Sequence, residues 1–477
     1  MISPISEPAT VGVSTDGFTG PRFCGIGDAL TWNRLGVNIG RRAHLRDIPQ
    51  GGSLMDKPGS APQSQADLRP WASFAYRDFT LLWIGGISGT VTMVLRTLVS
   101  AQWLYEETGS AAQLGLLGAV QLVQMPVVLY GGTLADRVDR KKLMALSQGV
   151  AFAMLVALTL LAATGGLEPW HIFAITGISG IVNMLGSSAR PAMLPRVVPR
   201  HLLTHAVTSQ TASFQISGIV APIVFWQSFE HFGVTVSFAV AAAVALTSVI
   251  SPLLIRASGQ PEKHAARTTV KSLKDGYAFV MGHRLLPGLY SLDIGVTIVS
   301  FYRQLFPVFA DQLYGMGAAG TGLLNAANSV GGVLGTMVVL YTTRVSRKGM
   351  LVLLATLVYA VLLFAFGVNR FFAVGLVIVA LLGMTDSIGM TMRQTVVQLT
   401  TPDRLLGRAS SAHSFSAMGA NNLGQIEVGV LSGAIGAGNT MVLGGIVSLV
   451  VVAAIWRLMP GIGRYRYDPA NPYEDRR

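Results

Sequence analysis

Residues 111–117 read Ala-Ala-Gln-Leu-Gly-Leu-Leu, and residues 318–324 read Ala-Ala-Gly-Thr-Gly-Leu-Leu. The two segments belong to a longer internal repeat, because a shift of 207 residues aligns 96–143 with 303–350 without a gap. Thirteen of the 48 aligned positions are identical. Self-similarity at a fixed distance indicates that the chain contains two copies of one structural unit.

A second shift, of 203 residues, extends the repeat along the chain. It aligns four residues with four others: Gly180, Asn183, Gly186 and Arg190 with Gly383, Asp386, Gly389 and Arg393. Two copies that each cross a membrane an even number of times run through it in the same direction. Parallel repeats of this kind are typical of transporters, with the solute site at the interface between the copies.

The composition excludes a soluble enzyme. Only 12% of the 477 residues are charged and 51% are hydrophobic, whereas a soluble domain has about 25% charged residues. Apolar runs long enough to cross a bilayer recur along the chain, and we number them spans 1 to 12: 80–104, 112–134, 143–164, 169–191, 205–229, 233–256, 285–309, 318–341, 349–367, 371–395, 409–434 and 437–459. We therefore predict an all-α membrane protein with twelve transmembrane helices in two parallel six-helix repeats.

The distribution of basic residues predicts the orientation. The chain has 35 Lys and Arg against 23 Asp and Glu, a net charge of +12. The basic residues concentrate in the loops after even-numbered spans and in the C-terminal tail, whereas the loops on the other side contain one, Arg370. Cytoplasmic loops of membrane proteins carry such an excess. We therefore predict a multi-pass membrane protein with both termini in the cytoplasm, a lipid bilayer as partner and no nucleic-acid partner.

The domain organisation follows from these spans. We predict a disordered cytoplasmic segment at 1–78, a six-helix bundle at 79–256, a cytoplasmic linker with an amphipathic helix at 257–284, a second bundle at 285–460 and a cytoplasmic tail at 461–477. Translation from Met55 is an alternative start. A single cysteine, Cys24, excludes a disulfide framework, and no Cys/His cluster has metal-ligand spacing. No cofactor or metal is predicted.

The loop between spans 2 and 3 contains a motif. Residues 132–142 read Gly-Thr-Leu-Ala-Asp-Arg-Val-Asp-Arg-Lys-Lys. Together with the duplicated six-span plan, this resembles the cytoplasmic loop motif of the major facilitator superfamily, closest to the bacterial branch of enterobactin exporters and macrolide efflux proteins. The resemblance implies the major facilitator fold, transport by alternating access and a location in the bacterial cytoplasmic (inner) membrane. Asp139 departs from the motif, which has a glycine there.

The motif residues form a predicted conformational latch. Gly132 lets two helices approach closely, and Asp136 can accept hydrogen bonds at a helix N-terminus, where the dipole favours an anion. Cationic side chains then bind Asp136 or lipid phosphates, and these are Arg137, Arg140 and Lys141. The resemblance implies that the latch favours an outward-facing state. The alternative is that the cations only fix the topology.

Span 5 departs from the pattern of superfamily antiporters. Those proteins often carry Gly-Pro followed by paired glycines in this span. Residues 221–226 read Ala-Pro-Ile-Val-Phe-Trp, so the proline is retained and the small-residue surface is not. This departure argues against proton antiport without arguing against transport.

Polar residues inside spans are costly and are candidate functional groups. Five of them lie on spans 1, 4, 7 and 10, which the resemblance implies line the central cavity, and these are the predicted substrate-binding residues: Arg96, Asn183, Asp293, Arg303 and Asp386. Arg96 and Arg303 are repeat partners, so we expect them to face each other and to bind an anionic or oxygen-rich solute.

Two alternatives for these charges remain open. Arg96 or Arg303 can instead pair with Asp293, Asp386 or Glu427, which keeps buried charges neutral overall. Asp386 and Asp293 are also the predicted proton-coupling residues. Arg190 and Arg393 lie near the cytoplasmic ends of spans 4 and 10, where we expect them to extend toward the membrane surface.

These patterns predict a monomeric secondary active transporter rather than an enzyme. The direction and the substrate rest on the resemblance, which implies export of a small organic molecule, such as a drug, a macrolide or a siderophore, coupled to proton influx. One alternative is a facilitator or uptake carrier for an organic anion. Another is a membrane scaffold or sensor of the same fold that does not transport.

Overall fold

The computed structural model describes residues 71–127, 138–186, 189–260, 270–342, 345 and 347–465. All of them belong to one compact unit, 62–477. This described part contains helices and no strands. The helices are α1 Arg77–Thr108, α2 Ala111–Gln124, α3 Arg140–Ala163, α4 Pro169–Gly186, α5 Ala189–Val197, α6 Leu203–Leu254, α7 Val270–Met281, α8 Leu286–Val299, α9 Phe306–Val308, α10 Gly317–Thr342, α11 Lys348–Val368, α12 Phe372–Thr400, α13 Asp403–Ile435, α14 Ala437–Leu458 and α15 Pro460–Arg464.

The all-α membrane fold is confirmed. Within the described residues, eight helices are long and apolar enough to cross a membrane. The longest, α6, covers predicted spans 5 and 6 and changes direction at Gly233, whose φ of 76° is in the left-handed region that favours glycine. Spans 2, 7 and 11 are not among the eight, so the count of twelve crossings stays a prediction.

Span 7 is not the continuous helix that the sequence predicts. Helix α8 ends at Val299, Ser300 and Phe301 leave the helical region, and a 3-10 turn follows at Tyr302–Leu305. The carbonyl oxygen of Ser300 accepts hydrogen bonds from the backbone N–H of Tyr302, over 2.7 Å, and from the hydroxyl of Tyr359, over 3.1 Å. Such a partner is what lets a broken helix persist at membrane depth. The two parts of span 7 therefore do not share one helical phase.

The connections between helices define two ends of the bundle. The short-turn end contains the turns at 109–110, 164–168, 233, 314–316, 369–371 and 436. The loop end contains 138–139, 198–202, 255–260, 282–285, 345, 347 and 401–402. The charge pattern predicts that the loop end is cytoplasmic.

The two halves pack against each other toward the short-turn end, along a surface that we call the seam. Helix α2 meets α13 where Gly115 contacts Gln425 and Gly429. Helix α10 meets α6 where Gly322 contacts Pro222 and Trp226. Glycine permits these close helix approaches in a membrane protein.

Hydrogen bonds cross the seam as well. Gln304 Nε2 donates to the carbonyl oxygen of Leu114 over 2.6 Å. Buried Thr321 donates through Oγ1 to Oε1 of Gln102 over 2.7 Å, and Gln102 Nε2 in turn donates to Glu106 over 2.8 Å. The seam therefore combines close packing with satisfied polar groups.

The linker between the halves contains the helix that its apolar spacing predicts. Helix α7 packs on α13, where Gly276 approaches the carbonyl of Arg408. The hydroxyls of Tyr277 and Ser416 also form a hydrogen bond. The linker helix is therefore fastened to the second half.

Candidate functional site

The first half contains a cavity of about 450 Å³. Its lining residues come from α1, α2 and α4 and, on the second half, from Met418 of α13. They are Met93, Arg96, Thr97, Ser100, Leu117, Gln121, Gln124, Thr176, Gly180, Asn183, Met184 and Met418. Arg96 alone among these residues is charged. The cavity therefore has a positive potential and the volume of a site for a small molecule.

Arg96 is held in place by α4. Its Nη1 donates to Ser179 Oγ, and that hydroxyl donates to the carbonyl oxygen of Ile175. Because the Ser179 hydrogen is already used within its own helix, the serine offers only a lone pair to the guanidinium. Within the described part of the chain, no other protein group hydrogen-bonds to Arg96, which lines this cavity and a second, water-sized one of about 30 Å³ beside it.

Asn183, another of the predicted substrate-binding residues, lines both of these cavities with Arg96. Its amide Nδ2 lies 3.5 Å from Met93 Sδ, and its side chain stays exposed. Three methionines also line the larger cavity: Met93, Met184 and Met418. A search for ionisable groups misses such residues, although flexible thioethers adapt to irregular ligands.

Gln124 shapes the floor of the cavity. Its Nε2 donates to the carbonyl oxygen of Thr176 over 3.1 Å, and its amide fills the space beside Gly180. In the second half, the backbone carbonyl of Asn328 approaches Gly383, the repeat partner of Gly180, most closely, and the Asn328 amide lies beside it. A glycine therefore allows a close approach at this position in both halves, to a side chain in the first and to the backbone in the second.

The second half brings together Asp293 and Asp386 around a separate cavity of about 30 Å³. Arg393 lines it too, and its Nη2 lies 2.7 Å from Asp293 Oδ1. The expectation that Arg393 extends toward the membrane surface is wrong, because this ion pair holds it inside the bundle. Asp293 therefore has an arginine partner, and that partner is neither Arg96 nor Arg303.

Arg303 does not join Arg96. It lies on the 3-10 turn after the break in span 7, its side chain is exposed, and it lines none of the three cavities described here. The expected facing arginine pair assumes that span 7 has the same helical phase as span 1, and the break at Ser300 removes that phase. The structure thus forms two polar sites, one in each half.

The structure describes only part of the predicted latch. Gly132, Asp136 and Arg137 lie outside the described residues. Arg140 Nη1 donates to the carbonyl oxygen of Ala192 over 3.0 Å, and Lys141 Nζ donates to that of Ile255 over 3.1 Å. Ile255 is the C-cap residue directly after α6, where the negative end of the helix dipole favours a cation.

Asp139, which departs from the family motif, begins α3. Its Oδ1 accepts hydrogen bonds from the backbone N–H groups of Lys141, at 2.9 Å, and Lys142, at 3.4 Å. An aspartate before the first helical residue is a favoured N-cap, so the sequence contained this signal. The substitution therefore replaces a flexible glycine with a helix cap.

Comparisons with known proteins agree with this architecture. The family described as "transmembrane secretion effector" matches residues 68–475. The chain is 27% identical over 337 residues to "Enterobactin exporter EntS" of Shigella boydii serotype 4, and the alignment covers 71% of this chain and 79% of the relative. The protein of the same name from Escherichia coli O139:H28 matches with the same identity and coverage. Among solved structures, a bacterial homolog to the human lysosomal transporter Spinster has a TM-score of 0.62 at 16% identity, covering 83% of this chain and 99% of that one. A D-xylose-proton symporter has a TM-score of 0.59 at 15% identity, covering 82% and 99%.

Proposed function

Because the chain belongs to the transmembrane secretion effector family of the major facilitator superfamily, we propose that it exports a small, anionic or oxygen-rich organic molecule by alternating access. Proton influx drives the export. The relatives named enterobactin exporters support a siderophore as the first solute to test.

The observation that carries the proposal is the cavity around Arg96. A guanidinium presents a planar set of N–H donors that match carboxylate or catecholate oxygens. No lining residue of this cavity carries a negative charge that would neutralise it. The amides of Gln121 and Asn183 add donors, and the methionines add apolar contact area.

The seam supports the proposed direction of transport. Gly115 and Gly322 pack the halves together toward the short-turn end, and Thr321 and Gln304 hydrogen-bond across it. If the loop end faces the cytoplasm, as the charge pattern predicts, this conformation is closed to the outside. Export then requires the seam to separate after the solute binds.

The experiment is transport by the purified full-length protein in liposomes. Iron-free enterobactin is supplied on the loop side under an imposed pH gradient, and its accumulation is compared with that in protein-free liposomes. We expect accumulation that Arg96→Ala abolishes and Arg303→Ala retains, because only Arg96 lines the cavity. Accumulation that does not depend on the pH gradient would support a facilitator instead. Absence of flux for enterobactin, a macrolide and an organic acid would contradict the proposal and support the scaffold.

A further inference from the structure

One contact is repeated in both halves with different chemistry. The shift of 207 residues places Gly86 on Asp293, and the shift of 203 places Arg190 on Arg393. In the first half, Arg190 donates to the carbonyl oxygen of Gly86 over 3.3 Å and to that of Gly85 over 3.1 Å. In the second half, Arg393 binds the carboxylate of Asp293. An arginine of span 4 or span 10 thus fastens the same position of span 1 or span 7.

The two versions of this contact differ in what they can bind. In the first half, both positions next to the arginine are neutral, because Gly86 and Asn183 stand where the second half has Asp293 and Asp386. A backbone carbonyl and an amide do not titrate, whereas a carboxylate does. Only the second-half contact can therefore respond to protons.

Arg393 interacts with both carboxylates, with Asp293 through the ion pair and with Asp386 electrostatically. Its Nη1 lies 3.3 Å from the position of a Cβ atom on Gly389, so the guanidinium extends back along α12 over that glycine. Asp386 precedes Gly389 by three residues and therefore lies on the same face of the helix. In the described part of the chain, Asp386 has neither a hydrogen bond nor an ion pair, and its side chain is accessible.

Four of the five hydroxyl groups that line the cavity already donate their hydrogen to another protein group and offer the cavity only lone pairs. Ser300, Thr356 and Thr385 donate to carbonyl oxygens of their own helices, over 2.6, 2.8 and 2.9 Å. Tyr359 donates to Ser300. The cavity therefore presents lone pairs and two carboxylates, with Arg393 as its one charged donor. Such a cavity stabilises a bound proton.

Other titratable groups face this cluster. Tyr290 of α8 and His413 of α13 form an edge contact with ring centroids 5.1 Å apart, and both interact electrostatically with Asp293. Tyr302, Tyr359 and Arg303 interact in the same way with Asp386. Among all these groups, Arg393 is the cation in direct contact with a carboxylate.

We propose that Asp293, Arg393 and Asp386 form a one-proton site in which the arginine binds one carboxylate and the proton occupies the other. In this conformation Arg393 binds Asp293, and Asp386 holds the proton. When the O–H bond of Asp386 breaks, the proton leaves to water and the new carboxylate draws the guanidinium from Asp293. Asp293 then takes a proton from water, so the site again holds one proton and no net charge.

The exchange has a structural consequence. The ion pair between Arg393 and Asp293 joins α12 to α8, and α8 ends at the break after Val299. Transfer of the guanidinium to Asp386, on its own helix, releases α8 from α12. The link between this exchange and export rests on the proposed function. The proton site itself needs no solute.

The test measures protonated carboxyl groups directly. The full-length protein in liposomes is titrated with acid and base, and the infrared C=O band of protonated carboxyls is recorded. We expect Asp386→Asn to lose one titrating band. Asp293→Asn should lose the same band, because Arg393 then binds Asp386 and keeps it ionised. Arg393→Gln should raise the number of protonated carboxyls at this site from one to two.

Glu427→Gln is the matched control, because Glu427 is a carboxylate of α13 that lines none of the three cavities. It should leave the Asp386 band unchanged. A band that survives Asp386→Asn, or an unchanged carboxyl count in Arg393→Gln, would overturn the inference. The predicted bands without any solute flux would support the proton site and contradict the proposed export. Flux with unaltered bands in all three variants would do the reverse.

Discussion

Gly115 and Gly322 are equivalent in the two halves, and each lies where a helix of its own half meets a helix of the other. A Cβ atom on Gly115 would lie 3.0 Å from the carbonyl oxygen of Gln425, and one on Gly322 would lie 2.9 Å from that of Pro222. Gln425 and Pro222 are themselves related by the shift of 203 residues. The seam therefore has an approximate twofold symmetry that extends to single contacts.

Valine in place of either glycine should open the seam. The added side chain would meet backbone atoms that cannot move independently, and overpacking of this kind costs about 1–3 kcal/mol. We expect Gly115→Val and Gly322→Val to shift the population toward a separated short-turn end. Spin labels on exposed Glu107 and Asn439, with Cys24 replaced by serine, should show longer distances.

Gly149→Val is the control for these two variants. Gly149 lies within α3, and a Cβ atom there would have no neighbour within 4 Å. The distance distribution should match that of the unsubstituted protein. An equal shift in all three variants would mean that helix propensity, and not the seam, causes the change.

Thr321→Val should destabilise the protein because it leaves Oε1 of Gln102 buried without its donor. An unsatisfied buried acceptor costs about 1–3 kcal/mol, so the thermal unfolding midpoint should fall. Gln102→Leu should partly restore stability when it is combined with Thr321→Val, since the orphaned acceptor is removed. Thr336→Val, on the exposed face of the same helix α10, is the control. Equal losses in both threonine variants would refute the role of the seam bond.

Arg96→Lys should weaken solute binding while keeping the positive charge. An ammonium cannot reproduce the planar donor set of the guanidinium, and loss of a charged hydrogen bond of about 1.5–3 kcal/mol corresponds to about 10- to 100-fold in Kd. Binding of iron-free enterobactin to the purified protein measures the effect. Arg303→Lys, outside the cavity, should keep the Kd; a similar loss there would contradict the placement of the site.

Asp139→Ala should destabilise α3 through loss of its N-cap. The expected cost is about 1 kcal/mol, and glycine, the residue of the family motif, should cost only a few tenths. Asp139→Asn keeps the acceptor and should be nearly neutral. Thermal unfolding of the three variants tests this order. If alanine and asparagine have the same effect, the hydrogen bonds to Lys141 and Lys142 do not stabilise the helix.

The helical plan could be predicted because it depends on local sequence. Apolar runs of span length and an internal repeat are readable without contacts, and the linker helix Val270–Met281 lies where its spacing predicts it. The break in span 7 was not predicted, because the Ser300 carbonyl is stabilised by Tyr359 from a distant helix. Its consequence for Arg303 was therefore missed as well.

The polar residues of the spans could be found, but their partners could not. Asp293 and Arg393 are 100 residues apart in the sequence. The expectation that Arg393 extends toward the membrane surface depends only on its position near the end of span 10. The repeat contained the missing signal, since Arg393 aligns with Arg190 and Asp293 aligns with Gly86. Comparing both ends of a contact across the repeat would have suggested the pair.

Span 5 shows why a motif departure needs its partner helix. The sequence predicts a lost small-residue surface, because Phe225 and Trp226 follow Pro222. The structure places Gly322 of α10 against Pro222 and Trp226, so the second helix supplies the small residue. A close approach between two helices requires a glycine on only one of them. The sequence of span 5 alone cannot show that this glycine lies on the other helix.

The symmetric seam has the pattern of an isologous subunit interface, in which one patch contacts a second patch and the reverse contact also occurs. In each half, one patch contains the glycine, Gly115 or Gly322. The other patch contains the segment that the glycine of the opposite half contacts, 222–226 or 425–429. Such a surface can assemble without a covalent connection. The two halves, coproduced as separate polypeptides cut within 261–269, should therefore reassociate into a complex that copurifies from membranes.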